Sequence, residues 1–205
     1  MYICIAGKNE CSIKAIRILI KKNIKKRNIY VLPNSSDNGQ NGWQPSLKKF
    51  ARKNKFKIVT IDKLYKINEL VFFSIEYEKI IDVSKFKSKK LFNFHFSLLP
   101  KYRGCHTNFL QIYSGEKYSG VTLHKINNGI DAGDVIDQKK FRIRLNDTAY
   151  DNYLRLMKCS VTLFKKNINK ILNSNYKLKK QNLSKGKYFK RNSVNYKKMS
   201  KFNIN

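Results

Sequence analysis

Short apolar runs alternate with segments of helical periodicity along the first half of the chain, and this alternation constrains the fold more than any other feature. The apolar runs cover residues 2–6, 29–32, 57–61 and 70–75. The segments with apolar residues at helical spacing lie between them, at residues 13–24, 45–51 and 62–68. Because neighbouring parallel strands need a crossover, usually a helix, this order predicts a parallel sheet. The last two runs are continuous enough to predict strands buried on both faces.

The pattern changes after a fifth predicted strand, residues 91–99, and a helix at residues 106–113. Two further strands, 121–126 and 135–143, are joined by a glycine-containing loop with no helix between them. Strands joined in this way pair antiparallel. We therefore expect an α/β fold, an open and mostly parallel twisted sheet flanked by helices, with antiparallel edge strands.

The chain has 205 residues, enough for one domain with a tail. A long helix, predicted from a cap at residues 146–148 as far as Leu172, closes that domain. Lys, Asn and Ser dominate the residues after it. We expect a folded domain over residues 1–172 and a C-terminal extension over residues 173–205, of which residues 185–205 are loosely held.

The chain carries a formal net charge of +31, from 44 Lys and Arg against 13 Asp and Glu. Such a charge raises the hypothesis of a nucleic-acid-binding module, with the tyrosines between residues 176 and 196 as stacking groups. The lysines are, however, spread over ordinary helix and strand patterns, as a genome-wide codon bias would leave them. We therefore favour a function that involves no nucleic acid, and keep the basic module as the non-enzymatic alternative.

Cysteine usage and hydropathy bear on the compartment. The cysteines, Cys4, Cys11, Cys105 and Cys159, lie too far apart for the CxxC spacing of metal or redox sites, and no secretory signal precedes them. A reducing cytoplasm is expected. No apolar run approaches the ~20 residues that span a bilayer, so no membrane association is expected.

An Asn-Phe-His triplet lies on the predicted fifth strand. The strand period of two places Asn93 and His95 on one side and Phe94 on the other. Such a pair alone is more often a satisfied pair of buried polar residues. Here a turn closed by Pro100 and carrying Lys101 and Arg103 follows at the strand end, where ligands of open α/β sheets bind.

A second polar segment joins the two predicted edge strands. Residues 128–136 read Asn-Gly-Ile-Asp-Ala-Gly-Asp-Val-Ile and carry Asp131 and Asp134 between glycines that let the backbone approach a ligand. A carboxylate close to His95 would orient and polarise its imidazole.

The stretch over residues 92–136 resembles the formyltransferases that use N10-formyltetrahydrofolate. Their hallmark is an N-x-H-x-S-L-L-P strand followed by an acidic [IV]-D-A-G-D loop, and nearly the whole motif is present. The resemblance implies a Rossmann-like formyltransferase fold with residues 1–172 as the catalytic domain. It also implies that Asn93, His95 and Asp131 are catalytic, with Asp134 as the second choice for the carboxylate, and that no metal is required.

The implied chemistry explains these residue types. An amine attacks the formyl carbon, an oxyanion develops, and a proton leaves the attacking nitrogen. Asn93 would donate to the oxyanion, and His95 would serve as base or as electrostatic partner. Asp131 would hold His95 or organise a water that carries the proton to the departing folate nitrogen.

Relatives in this family formylate different amines: initiator tRNA, glycinamide ribonucleotide or nucleotide-linked amino sugars, while one branch hydrolyses formylfolate. The tRNA enzymes carry a further C-terminal barrel, the hydrolases an N-terminal domain, and the purine enzymes a glycine-rich loop where this chain has Gly7 alone. The resemblance therefore implies a nucleotide-linked amino sugar, with thymidine diphosphate as nucleotide and 4-amino-4,6-dideoxyglucose as sugar, for surface polysaccharide such as O-antigen. Glycinamide ribonucleotide and methionyl-tRNA remain the alternatives.

The resemblance also implies binding residues for both substrates. The folate pocket would be formed by Ser74, Ile75, Glu76, Tyr77 and Asp134. The sugar and its diphosphate would be bound by Lys8, Asn9, Trp43, Lys79, Ser97, Arg103 and Gly104. The predicted edge strand near Phe141, together with the aromatic tail, is compatible with a homodimer.

Overall fold

The computed structural model describes residues 1–194 and follows the predicted alternation of strands and helices. The strands are β1 Tyr2–Gly7, β2 Ile29–Pro33, β3 Lys57–Ile58, β4 Leu70–Ile75, β5 Lys90–His95, β6 Arg103–Gly104, β7 Tyr118–Lys125, β8 Val135–Arg142 and β9 Tyr188–Phe189. The α-helices are α1 Asn9–Lys21, α2 Leu47–Lys53, α3 Ile61–Tyr65, α4 Thr107–Tyr113 and α5 Ala149–Leu172. Short 3-10 turns occur at Lys26–Asn28, Val83–Lys85, Leu183–Lys185 and Arg191–Ser193.

Seven strands form one mixed sheet in the order β3-β2-β1-β4-β5-β7-β8. The first five pair in parallel, whereas β7 pairs antiparallel with β5 and β8 pairs antiparallel with β7. The predicted fold class is confirmed. Strand order reverses between β1 and β4, whose carboxyl ends meet where Gly7 is in register with Ile75. Ligands of open α/β sheets bind outside such a reversal point.

Alternate side chains of the central strands bury opposite faces of the sheet. Ile3 and Ile5 of β1 join the core that contains Leu19 of α1 and Phe164 of α5, while Cys4 joins the second core on the other face. Each of these side chains is at most 1% exposed. Burial on both faces is why these strands read as continuous apolar runs.

The helix α5 is the longest element and begins at a capping box. The Thr148 hydroxyl accepts from the backbone N–H of Asp151, and the Asp151 carboxylate accepts from the backbone N–H of Thr148. This reciprocal pair satisfies two backbone donors that a helix start otherwise leaves free. The helix packs along α1 and β7, and its first turns reach the carboxyl edge of the sheet.

Several predicted boundaries were wrong, among them the following three. The run at residues 57–61 forms only β3, whose two residues are exposed because this strand lies at the edge of the sheet. The strand predicted at residues 91–99 ends at His95, since Ser97 and the residues after it form the turn. Helix α1 ends at Lys21, so Ile24 packs on the core from the following turn.

The C-terminal extension is held more firmly than its composition predicted. The backbone N–H and carbonyl of Lys179 both bond Val135, each at 2.8 Å. Strand β9 pairs in parallel with β6. The prediction of a loosely held segment was therefore wrong for residues 185–194, because backbone pairing does not require the apolar periodicity that the segment lacks. Residues 195–205 lie outside the described residues, and the division at residue 172 stays a prediction.

None of the helices in the described part of the chain is long and apolar enough to cross a membrane.

Candidate active site

The antiparallel pairing of β5 and β7 builds the centre of the site. Asn93 on β5 lies directly opposite His124 on β7, and the loop between β7 and β8 brings Asp131 over both. The amide nitrogen of Asn93 donates to Oδ1 of Asp131 at 3.1 Å and lies 3.2 Å from Nε2 of His124. Residues that are 38 positions apart in the chain thus share one hydrogen-bond network.

The imidazole of His95 is held between two acceptors. Its Nδ1 lies 3.3 Å from Oδ2 of Asp131, and its Nε2 lies 2.7 Å from the backbone carbonyl of Tyr102. These two contacts fix the orientation of the ring relative to Asp131 and Tyr102.

The neighbouring His124 has different hydrogen-bond partners. Its Nδ1 lies 2.7 Å from the carbonyl of Lys125, which identifies Nδ1 as the protonated nitrogen. Its Nε2 lies 3.2 Å from the Asn93 amide nitrogen and 3.6 Å from Oδ1 of Asp131. His124 is 2% exposed and borders the cavity beside this network.

Asp131 carries the negative charge at the centre. Burial raises the pKa of its carboxyl, but the neighbouring rings of His95 and His124 and the backbone N–H of Gly104 outweigh burial and hold the pKa well below its usual range. Gly104 donates to Oδ2 at 2.9 Å. Asp131 is therefore a carboxylate at neutral pH.

Two glycines allow the loops to approach each other. A Cβ at Gly104, whose φ is +90°, would lie 2.1 Å from the carbonyl oxygen of Phe189. A Cβ at Gly133 would lie 1.8 Å from the carbonyl oxygen of Lys125. Both positions require glycine, and both fix the backbone that surrounds Asp131.

A cavity of 310 Å³ opens beside this network, at the low end of the ~300 to 1,000 Å³ of ligand pockets. Residues from the predicted site that line it are Ser74, Glu76, Tyr77, Lys79, Asn93, His95, Gly104 and Asp131. Apolar side chains of Ile80, Ile81, Ile126 and Ile130 form much of its remaining wall. Apolar walls with a few convergent polar groups are typical of small-molecule binding sites.

The other predicted binding residues lie around the cavity or beneath it. Lys8 precedes α1, and the exposed Trp43 ring contacts the rings of Tyr150 and Tyr153. Arg103 lies in β6, where its backbone pairs with the C-terminal extension. None of these predicted residues is part of the cavity wall.

Three further predicted residues take part in hydrogen bonds that involve backbone carbonyls. Ile75 is buried, and its carbonyl accepts from the Ser12 hydroxyl. Ser97 is fully buried and donates to the carbonyl of Lys101, which stabilises the turn and does not favour direct contact with a substrate. The carbonyl of Asp134 accepts from the N–H of Lys125, and Asp134 lies three positions beyond Asp131, the last residue of this loop that lines the cavity.

A second polar network lies at the carboxyl end of β4. The Tyr153 hydroxyl donates to Oε1 of Glu76 at 2.7 Å and accepts from the side chain of Asn9 at 3.0 Å. Burial raises the pKa of the Glu76 carboxyl, although Tyr153 and Lys8 act in the opposite direction. Glu76 also has a φ of +59°, a conformation that non-glycine residues keep only where the surrounding structure enforces it.

The sequence did not single out His124, Tyr102 or Tyr153 as part of the site. The signal for His124 was present, because an antiparallel partner of β5 must place some side chain opposite Asn93. Tyr102 contributes through a backbone carbonyl, which no residue type reveals. Within residues 1–194, no group of three or more His, Cys, Asp or Glu side chains could hold a metal ion.

Comparison with known proteins places these features in a family. The family described as Formyl transferase matches residues 3–168. The structure of WlaRD, a sugar 3N-formyl transferase solved with dTDP and 5-N-formyl-THF, superimposes with a TM-score of 0.93 at 47% identity, over 95% of this chain and 71% of that one. The N-formyltransferase from Helicobacter canadensis, in complex with folinic acid and dTDP-3-aminofucose, gives a TM-score of 0.93 at 44% identity, over 95% and 73%.

A curated relative, methionyl-tRNA formyltransferase from Prochlorococcus marinus (strain MIT 9312), is 32% identical over 202 residues, which cover 89% of this chain and 61% of that protein. The chain spans less than two thirds of the curated relatives it matches, from 19% to 63% of their length.

Proposed function

The chain belongs to the formyl transferase family, and from this membership we propose that it transfers the formyl group of N10-formyltetrahydrofolate to the amino group of a nucleotide-linked amino sugar. The observation that carries the proposal is the network of Asn93, His95 and Asp131 at the wall of the cavity. A buried carboxylate, an imidazole and an amide donor are the groups that amine formylation needs.

Similarity to two sugar enzymes supports the amino-sugar acceptor. WlaRD and the Helicobacter canadensis enzyme are 47% and 44% identical to this chain, whereas the methionyl-tRNA formyltransferase is 32% identical. Both sugar enzymes superimpose over 95% of the chain. We therefore propose a thymidine diphosphate sugar as the acceptor.

The same two relatives support a proposal for the position of the amine. One is described as a 3N-formyl transferase and the other was solved with dTDP-3-aminofucose. The sequence alone suggested a 4-amino-4,6-dideoxyglucose derivative. We now propose a 3-amino-3,6-dideoxyhexose as the preferred acceptor and keep the 4-amino sugar as the competing substrate to be tested.

In the proposed reaction, the sugar amine attacks the formyl carbon, and the C–N bond forms as the carbonyl becomes an oxyanion. Asn93 exchanges one of its present hydrogen bonds for this oxyanion. His95 takes the proton from the attacking nitrogen, and Asp131 stabilises the imidazolium that results. The proton then passes to N10 of the folate as the bond between N10 and the formyl carbon breaks, which gives the formamido sugar and tetrahydrofolate.

We propose separate binding places for the two substrates. The backbone at residues 74–77 and the isoleucines of the cavity wall would bind the pterin. Asn9 and Trp43 contact Tyr153, whose hydroxyl donates to Glu76, and Lys8 lies next to Asn9. We propose that the sugar and diphosphate bind beside these residues, outside the cavity wall. Lys79 and Arg103 would contribute positive charge to the diphosphate.

Methionyl-tRNA is the second candidate acceptor. It is favoured by the 32% identity to a methionyl-tRNA formyltransferase and by the formal net charge of +31, which would attract a polyanion. A basic nucleic-acid-binding module without catalysis rests on the same charge and leaves the Asn93, His95 and Asp131 network without a role.

An acceptor panel tests the proposal. Purified protein would be incubated with N10-formyltetrahydrofolate and with dTDP-3-amino sugar, dTDP-4-amino sugar, glycinamide ribonucleotide or methionyl-tRNA, and formylated product measured by mass spectrometry. We expect the 3-amino sugar to give the highest kcat/KM, together with thermal stabilisation by folinic acid and by dTDP. Preference for methionyl-tRNA would refute the proposed acceptor, and salt-sensitive RNA binding without any formyl transfer would favour the non-enzymatic module.

We further propose that the formamido sugar nucleotide supplies a glycosyltransferase of surface polysaccharide synthesis. A reducing cytoplasm is the proposed compartment, which is consistent with the four free cysteines. A homodimer through the β8 edge stays a prediction.

A further inference from the structure

The segment that follows α5 turns back onto both loops that face His95. We name residues 179–189 the C-terminal strap. At one end, Lys179 pairs with Val135 beyond the Asp131 loop. At the other end, the Phe189 ring stacks on the Tyr102 ring, with centroids 5.6 Å apart and planes 13° from parallel. The strap therefore contacts the loops that supply both hydrogen-bond acceptors of His95.

One side chain of the strap contacts the backbone of the loop that carries Asp131. The Gln181 amide nitrogen donates to the carbonyl of Asp131 at 3.0 Å and to the carbonyl of Gly133 at 2.6 Å. These two bonds use both hydrogens of the amide and bridge the peptide unit between Asp131 and Ala132 to the one between Gly133 and Asp134. The amide oxygen of Gln181 is buried and has no hydrogen-bond partner among the described residues.

The unpaired oxygen indicates what sets the orientation of this side chain. A buried polar atom without a partner disfavours folding, and most native side chains avoid it. In Gln181 the cost of the unpaired oxygen is offset by the two hydrogen bonds that the amide nitrogen donates to the loop. The arrangement is therefore organised around the carbonyls of Asp131 and Gly133.

The backbone of Asp131 needs such support. Its φ of +50° lies in the left-handed region, which a non-glycine residue keeps only where its surroundings enforce it. Gly104 and Asn93 hold the carboxylate, whereas Gln181 holds the main chain. Without that bridge the peptide can rotate, and the carboxylate then moves relative to Nδ1 of His95.

We infer that Gln181 is a positioning residue for formyl transfer, because its amide fixes residues 131–133 and thereby the distance between the Asp131 carboxylate and His95. The effect of Gln181 on formyl transfer rests on the proposed function. Its effect on the distance between the Asp131 carboxylate and His95 does not.

Two matched variants separate positioning from folding. Gln181→Met keeps the length of the side chain and removes both donors, while Lys180→Met places the same residue at the exposed neighbouring position. We expect Gln181→Met to lower kcat by about 10-fold to 100-fold. The KM values for formylfolate and amino sugar should stay within a few-fold, and Lys180→Met should match the wild type. If Gln181→Met does not fold, Gln181→Asn serves instead, since it retains the donors but is one methylene too short to reach both carbonyls.

A measurement that needs no turnover tests whether Gln181 fixes the position of Asp131 relative to His95. The sequence contains three histidines, so the ring-nitrogen NMR spectrum is simple to assign. In Gln181→Met the His95 and His124 resonances should shift, with His106, which bonds the carbonyl of Arg191, as internal reference. Unchanged His95 resonances in a folded variant would overturn the inference, whatever the kcat. A wild-type protein that transfers no formyl group would instead refute the proposed function and leave the NMR comparison to decide the role of Gln181.

Discussion

Asn93 and His124 are direct partners across the antiparallel pair of β5 and β7, and their side chains approach to 3.2 Å. The Asn93 amide nitrogen therefore lies within hydrogen-bond distance of two groups, Nε2 of His124 and the Asp131 carboxylate. Such a doubly engaged amide is held in one orientation before any substrate arrives. His124 is thus expected to preset the donor that the proposed oxyanion requires.

Replacing His124 by Ala tests this relationship. The Asn93 amide would lose one of its two polar neighbours and gain freedom to rotate, so kcat should fall by about 10-fold to 100-fold while both KM values change little. Steady-state kinetics at a temperature well below the melting point of the variant would measure the effect. Wild-type kcat in a folded His124→Ala protein would contradict the positioning role.

Replacing Glu76 by Gln should change how stability depends on pH. Because burial raises the pKa of Glu76, its contribution to stability is complete below about pH 4.3, the ordinary glutamate value, and is lost as the pH rises through the folded-state pKa. The Gln variant lacks this titration. Its free energy of unfolding should therefore rise relative to that of the wild type between pH 4 and pH 8, by ~1.4 kcal/mol for each unit by which the pKa is raised.

Urea unfolding at several pH values would measure that difference. A constant offset between the two proteins at every pH would show that Glu76 has the same pKa in the folded and unfolded states, contrary to the burial seen here.

Replacing Gly133 by Ala should damage both stability and activity. The new Cβ would lie 1.8 Å from the carbonyl oxygen of Lys125, so the loop that carries Asp131 must move. We expect a loss of about 1–3 kcal/mol in the free energy of unfolding and a larger relative loss of kcat. Gly42→Ala is the control for stability, since a Cβ there meets nothing within 4 Å. Equal melting temperatures for the two variants would argue against the close approach at Gly133.

The sequence revealed the parts of the fold that burial dictates. The run at residues 70–75 coincides with β4, because a strand buried on both faces must be apolar throughout. The Asn93 and His95 pair was identified from the strand period, and Asp131 from a glycine-flanked loop. The length of the edge strand β3 was overestimated, because an exposed edge gives no pattern that distinguishes strand from loop.

Contacts over long sequence separation were the part that sequence could not predict. Gln181 reaches Asp131 across 50 positions, from a segment without apolar periodicity. Tyr102 acts on His95 through its carbonyl, which every residue possesses. His124 was visible as a residue but not as a partner of Asn93, because strand register depends on the length and geometry of the intervening loop.

Single-turnover formyl transfer tests the central claim most directly. Wild-type protein, His95→Ala and Asp131→Asn would each be mixed with N10-formyltetrahydrofolate and a dTDP-3-amino-3,6-dideoxyhexose, and the formation of formamido sugar and of tetrahydrofolate would be followed together. We expect equal amounts of both products from the wild type. Rates should be lower by about 100-fold to 10,000-fold in the two variants, although both fold and bind folinic acid. Transfer by folded His95→Ala at the wild-type rate would contradict a catalytic role for His95.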